Sequence, residues 1–346
     1  MAFLTSGFFW RGKTVRAGLA ACCLALATPL AAECQGENLL QQLPAADLAD
    51  LRARAAEVPY PTGNFWHLTR QRAAGSQDIY LIGTYHLNDP RHDATLAAIA
   101  PVLGRVKSVL VEAGPEEQAA IRAMLGDDPA RMLDLTGPTL PEALAPEDWQ
   151  RLAAALRARG IPPFMAAKFR PWYLTMLLSV PACDLQRLAA GGGLDEQVIE
   201  MALDLNLPVV GLEPFDRVLD AFDQLPRADQ LSMITTALAM EAQGEDMAVT
   251  LADAYFAGES RLIWEFLRHE TLKLPGYAPE RVNREFATME AALMTGRNRD
   301  WIAVLLEAAA RGPLLAAFGA LHLSGDQGVL ALLQAEGFVV ESLPLE

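Results

Sequence analysis

Gly83-Thr84-Tyr85-His86 and Gly319-Ala320-Leu321-His322 are two copies of one short pattern, set near opposite ends of a 346-residue chain. Each follows a short apolar run of strand character, Ile79-Tyr80-Leu81-Ile82 and Leu314-Leu315-Ala316-Ala317-Phe318. The chain has five histidines, at 67, 86, 92, 269 and 322, so two of the five hold equivalent places. A glycine where a strand ends lets the backbone turn sharply or approach another group closely. A histidine three residues later then stands above the sheet edge, where α/β proteins build ligand sites. If the two strands are neighbours, the imidazoles converge. That gives half of a metal site, or the acid and base of a hydrolytic one.

Other polar residues sit where they could complete such a site. Glu112 ends Val109-Leu110-Val111, and Glu213 ends Val209-Val210-Gly211-Leu212. An acid at the carboxyl end of an apolar strand is either a solvated terminus or a site carboxylate. Adjacent parallel strands end at one edge, so Glu112 is expected near His86. Asp195, after Gly191-Gly192-Gly193-Leu194, is either a helix N-cap or a site group. Arg297, in Arg297-Asn298-Arg299-Asp300-Trp301, is either part of a charged surface or an arginine aimed into the cleft. In the cleft it would bind a carboxylate or steady an oxyanion. His92 follows the first motif closely enough to line the same pocket. His67 reads as a packed or exposed strand residue, and His269 as solvent-facing. The sequence holds no Gly-x-Ser-x-Gly elbow, His-Glu-x-x-His pair, Walker phosphate loop or dinucleotide fingerprint. Serine or cysteine nucleophiles therefore have no motif behind them.

The elements that must carry these residues follow from periodicity. Helical spacing is expected from Pro44 to Val58. Phe65–Thr69 and Asp78–Ile82 read as paired strands around a Gly75-Ser76-Gln77 turn. After the first motif come a helix (Thr95 to Leu103) and the strand Ser108–Glu112, the strand–helix–strand grammar of a parallel sheet. The middle reads as mostly helical: Ala145–Arg159, Met165–Val180 and Leu194–Leu205, then a strand at Pro208–Glu213. Further helices follow to Ala309. The last unit repeats the first: strand, Gly-x-x-His, helix (Gly328 to Glu336), strand (Phe338 to Leu343). The match implies either an internal duplication or two arms of one sheet. The expected fold is one α/β domain, with a central mixed or parallel sheet, two Gly-x-x-His strand ends and a large helical insertion over about 120–310.

Residues 1–32 read as a cleaved secretory signal. Arg11, Lys13 and Arg16 are followed by an apolar stretch at Ala17–Ala27 and small residues at Ala31-Ala32. The stretch is short for a membrane span, and Glu33 breaks a lipid-attachment pattern at Cys34, so no stable membrane insertion is expected. The chain has 28 basic and 43 acidic residues, a net charge of −15, and loses only basic residues with the leader. Such an excess argues against nucleic acid and anionic membranes as partners. Of four cysteines, Cys34 and Cys183 lie outside the leader. In an exported protein they are expected to join, with two unpaired thiols as the other possibility.

In combination these landmarks resemble the TraB/GumN family, which is related to the Tiki metalloproteases and more distantly to the erythromycin-esterase and ChaN-like proteins. The pieces that carry the resemblance are Gly83-Thr84-Tyr85-His86-Leu87, Val111-Glu112, Gly193-Leu194-Asp195, Gly211-Leu212-Glu213-Pro214, Arg297-Asn298-x-x-Trp301 and Gly319-Ala320-Leu321-His322-Leu323-x-Gly325. They arrive in family order from about Phe65 to Leu343. The resemblance implies a cleft that gathers His86, His322, Glu112 and Arg297. It also implies a divalent ion, manganese or cobalt with zinc left open, held by His86, His322 and Glu112. One departure stands out: Ala113-Gly114-Pro115 replaces the further acid that often follows the strand glutamate. The function expected is an exported metal-dependent hydrolase acting on a peptide or other small acyl substrate, with Glu112 as ligand or general base and Arg297 at the oxyanion. The alternative is a non-catalytic periplasmic metal- or haem-binding protein.

Overall fold

The computed structural model describes residues 34–73, 75–214 and 216–345; the expected signal segment lies outside them. Among the described residues six strands form one mixed sheet. They are β1 (Phe65–Arg72), β2 (Gly75–Thr84), β3 (Ser108–Val111), β4 (Val209–Gly211), β5 (Leu314–Gly319) and β6 (Val339–Ser342). The spatial order is β4-β3-β5-β2-β1-β6. β2, β5, β3 and β4 run parallel, and β1 pairs antiparallel with β2 and β6.

Side-chain alternation along β2 and β5 feeds two separate layers. Ile79, Leu81, Leu314, Ala316 and Phe318 pack with Trp301, Leu305 and Ala309 of the Gly296–Ala309 helix and with Val329, Leu330 and Leu333 of the Val329–Ala335 helix. Ile82, Leu315 and Ala317 pack on the opposite face with Ile99 and Leu103 of the His92–Leu103 helix and with Val198 and Ala202 of the Leu194–Asp204 helix. A sheet covered on both faces needs the near-continuous apolar strands this sequence has. The middle of the chain builds its own helical core around Leu152, Leu156, Leu174, Ile234 and Leu238.

The two motif strands are direct neighbours: Thr84 is in register with Gly319. The first and last units therefore meet in one sheet. β5 also lies between β2 and β3, which corrects the expectation that the strands before His86 and Glu112 are neighbours, although both residues still reach one gap beside Gly319.

Several local expectations are also corrected. Arg72 already pairs with Gly75, so Gly75-Ser76-Gln77 belong to β2 and the reversal precedes them. The helix expected over Met165–Val180 is split between a short helix, Pro163–Ala166, and a second over Pro171–Leu178, because Pro171, lacking an N–H, starts a helix instead of continuing one. Cys34 and Cys183 form a disulfide with Cα atoms 5.3 Å apart. Among the described residues no helix is long and apolar enough to cross a membrane.

Candidate functional site

Both Gly-x-x-His segments leave the sheet at the carboxyl edge, β2 at Thr84 and β5 at Gly319. After Gly319 a single 3-10 turn, Ala320–His322, folds back over β2. A Cβ on Gly83 would lie 2.9 Å from Ala320 Cα and 2.7 Å from Leu323 Cδ1, so only glycine admits that turn. Gly319 has a different reason. A Cβ there would point into a space whose nearest atoms are Glu112 Oε1 at 3.3 Å, His86 Nε2 at 3.4 Å and His322 Cδ2 at 3.6 Å. The two imidazoles and one carboxylate thus surround one missing side chain.

His322 is the buried member, its side chain 7 % exposed. Nδ1 meets Asn298 Oδ1 at 2.5 Å, and the ring lies 4.5 Å from that of Trp301. Asn298 and Trp301 are three residues apart on the Gly296–Ala309 helix, so they share the face that meets the histidine. Burial lowers the His322 pKa to about 4; Glu112 opposes the change, and Arg297 and His86 add to it. His322 is neutral at physiological pH.

Arg297 ties the remaining groups together. Its Nε donates to Glu213 Oε1 at 2.8 Å and Oε2 at 3.1 Å, and Nη2 donates to Glu112 Oε2 at 3.0 Å. Nη1 reaches back to Leu293 O at 3.0 Å and lies 3.3 Å from His322 Nε2. Leu293 belongs to a π turn, Ala291–Thr295, just before the helix. Such turns leave carbonyls without their usual helical partner, and here the arginine takes one. Trp301 Nε1 donates to Glu213 Oε2 at 3.1 Å. Glu112 also accepts from the Gly319 N–H at 2.7 Å. Burial alone would raise the Glu112 pKa. The positive groups around it, His322 when protonated, the permanent charge of Arg297 and His86, join the Gly319 N–H and bring it down to about 2.

The sequence matches the TraB/PrgY/gumN family over residues 64–342, a span that takes in every group just described. The chain belongs to this family. No curated protein matches the sequence.

His86 is the open member of this TraB/PrgY/gumN site, with its side chain 60 % exposed. Its Nδ1 meets Asp195 Oδ1 at 3.2 Å. The surrounding protein works against a charge on the ring. The hydrogen bond and charge of Asp195, with Glu112 behind it, outweigh that and raise the His86 pKa to about 9. Asp195 is not the helix cap. Gly193 holds that position, and Asp195 stands in the first turn with its carboxylate turned to His86. Leu194 N donates to Tyr85 O at 3.0 Å, which fixes the helix start against the first motif.

The donor set suits a small divalent ion. Two imidazoles and a carboxylate are the protein ligands of many open catalytic sites, and Gly319 leaves space among them. Arg297 pairs with both Glu213 and Glu112, so these three groups together leave one net negative charge for a cation. As they stand, the donors are spread wider than a ligand sphere: among the described residues no three His, Cys, Asp or Glu side chains are grouped tightly enough to hold an ion. An ion there would require the side chains to close around the gap.

The other histidines lie elsewhere. His92 is 1 % exposed, packed by Tyr85, Tyr255 and Phe256, and its Nε2 donates to Leu87 O at 2.9 Å. It braces the loop behind His86. His67 stacks on Tyr80 and meets Asp78 at 3.1 Å. His269, expected to face solvent, is largely covered, and burial lowers its pKa. Sequence reasoning did not assign a role to Asn298, and it read Gly319 as a turn or close-approach residue without the gap it leaves among the site groups. The signal for Asn298 was its adjacency to Arg297.

Proposed function

We propose that this protein is an exported, metal-dependent hydrolase that directs water at a peptide bond or a similar acyl group. The observation that carries the reading is the gap at Gly319, ringed by His86 Nε2, Glu112 Oε1 and the edge of His322. These three residues would hold a divalent ion, manganese or cobalt by family resemblance. Such an ion supplies Lewis acidity, which makes water a competent nucleophile at neutral pH.

The remaining work falls to the side chains. Glu112 stays ionised across the physiological range, ready to hold the ion or to take a proton from water. His322 offers an unprotonated Nε2. His86, oriented by Asp195 at the mouth of the site, must give up a proton before it can ligate, so ion binding strengthens as pH rises. Arg297, held by Glu213, is a fixed cation beside Glu112 that can steady negative charge on the carbonyl oxygen. The Cys34–Cys183 disulfide accords with export, because such bonds persist in oxidising compartments.

A second reading is favoured by the bonds Arg297 already makes to Glu112 and His322: proton transfer between the unlike histidines with no ion. One experiment separates the two. Purified protein is incubated with a peptide mixture and Mn2+ or Co2+, and fragments are read by mass spectrometry. Cleavage abolished by chelator, restored by either ion and lost in His86→Ala and His322→Ala is expected. Cleavage that survives chelation but not the histidine changes supports the second reading. A haem-loaded or metal-loaded protein that cleaves nothing overturns both.

A further inference from the structure

We infer that Asn298 is a positioning residue that locks His322 in its Nδ1–H form and leaves the Nε2 lone pair facing the site. The amide of Asn298 has only one orientation open to it. Its Nδ2 lies 2.8 Å from Gln327 O and 3.4 Å from His322 O, and a carbonyl can only accept. The NH2 group must therefore face those carbonyls, which leaves Oδ1 to His322 Nδ1 at 2.5 Å. An amide oxygen also only accepts, so the proton must be on Nδ1.

The other side of the ring accords with this form, and Glu112 Oε1, 3.6 Å from Nε2, is the competing acceptor that would draw the proton across if Asn298 were removed. Arg297 Nη1 lies 3.3 Å from Nε2, and a guanidinium can only donate. A proton on Nε2 would face that N–H head-on. Asn298 is 2 % exposed and His322 5 %, so water cannot readily stand in for either partner. The Trp301 ring against the imidazole keeps its plane. Asn298 and Arg297, adjacent on one helix, thus read the two nitrogens of one histidine as donor and acceptor. A ligating or proton-accepting histidine needs the lone pair on the nitrogen that faces the reaction, and the nitrogen behind it is commonly anchored in this way. The consequence for hydrolysis rests on the function proposed above; the tautomer does not.

The test reads the tautomer directly, by 15N NMR of the His322 ring in metal-free protein, and Co2+ affinity beside it. Wild type is expected to show Nδ1–H. Asn298→Ala is expected to lose that form and to bind Co2+ about 10–100-fold more weakly, with its circular dichroism unchanged. Asn298→Asp keeps an acceptor at Nδ1 and so keeps the tautomer. Its Tm falls, because its second oxygen faces Gln327 O. A purely structural role would move tautomer and Tm together. Nε2–H in wild type overturns the inference, as does Asn298→Ala with unchanged tautomer and Co2+ affinity. If Asn298→Ala does not fold, loss of Nδ1–H in folded Asn298→Asp is the overturning result. Wild type that binds no Co2+ defeats the hydrolase reading alone, since the ring spectrum still decides the role of Asn298.

Discussion

Arg297 and Glu213 form a two-point ion pair, with Nε 2.8 and 3.1 Å from the two carboxylate oxygens and Nη2 on Oε1 as well. Both side chains are under a tenth exposed. The pair fixes a cation that Glu112 shares at 3.0 Å, so Glu213 relieves Glu112 of part of that charge. Glu213→Gln should lower stability by about 3 kcal/mol, since it leaves a buried charge short of its partner. It should also weaken Mn2+ binding about tenfold or more, because Arg297 then draws on Glu112 alone. Chemical denaturation and an Mn2+ titration measure the two effects. A variant indistinguishable from wild type in both would show that Glu213 does not support the site.

Gly319→Ala should separate binding from folding. The backbone there has φ −47°, open to any residue, and the new methyl meets its neighbours at 3.3–3.6 Å. Stability should change by no more than about 1 kcal/mol, while metal binding and turnover fall about 100-fold. Gly83→Ala should do the reverse and lower Tm first, since its methyl runs into Ala320 Cα at 2.9 Å. Thermal melts of both variants beside a Co2+ titration check the contrast. An active Gly319→Ala enzyme would remove the gap from the mechanism.

Acid should destabilise the fold in a window that His322 sets. Its folded pKa of about 4 lies below the ordinary 6.5, so the unfolded chain takes up the proton first. The stability it contributes is full above pH 6.5 and is lost as pH falls towards 4, on the order of 3 kcal/mol. Glu112 adds a second loss at lower pH, beginning below 4.5 and running to about 2. His86 acts with the opposite sign. Its pairing with Asp195 stabilises fully below pH 6.5 and is lost as pH rises through about 9. Urea denaturation of metal-free protein across pH 3–10 tests this. His322→Gln should flatten the segment between 6.5 and 4; an unchanged profile would mean that His322 is not kept neutral by the fold.

Reduction of the Cys34–Cys183 bond should lower stability by about 4–5 kcal/mol, the chain-entropy value for so long a loop. The N-terminal segment it anchors also lies along the Gly244–Phe256 helix. Glu37 N reaches Asp246 at 2.8 Å, Leu39 N reaches Thr250 at 2.8 Å, and Asn38 Nδ2 reaches Asp253 at 2.9 Å. Proteolysis near residues 34–43 should accelerate with dithiothreitol and in Cys34→Ser. Equal rates in both redox states would show that these hydrogen bonds hold the segment unaided.

Much of this was legible in the order of the residues. Short continuous apolar runs at Ile79–Ile82 and Leu314–Phe318 marked the core strands, since a strand covered on both faces is apolar throughout. The paired Gly-x-x-His motifs, the strand-end acids Glu112 and Glu213, and Arg297 marked the site, because chemistry of this kind draws on few residue types. The segment Met165–Val180 was misread because an apolar period does not register a proline that starts a new helix at Pro171.

What the chain order left open was which strands touch and which way each polar group turns. β5 inserting between β2 and β3 is a long-range pairing, invisible to any local pattern, and it brings Glu112 to Gly319 and not beside β2. Asp195 has the composition of a cap and the geometry of a histidine partner, since only the packed helix start directs its carboxylate to His86. The residue types thus determined the chemistry available. The fold decided which lone pair faces which charge, because burial and hydrogen-bond direction exist only once distant segments share one interior.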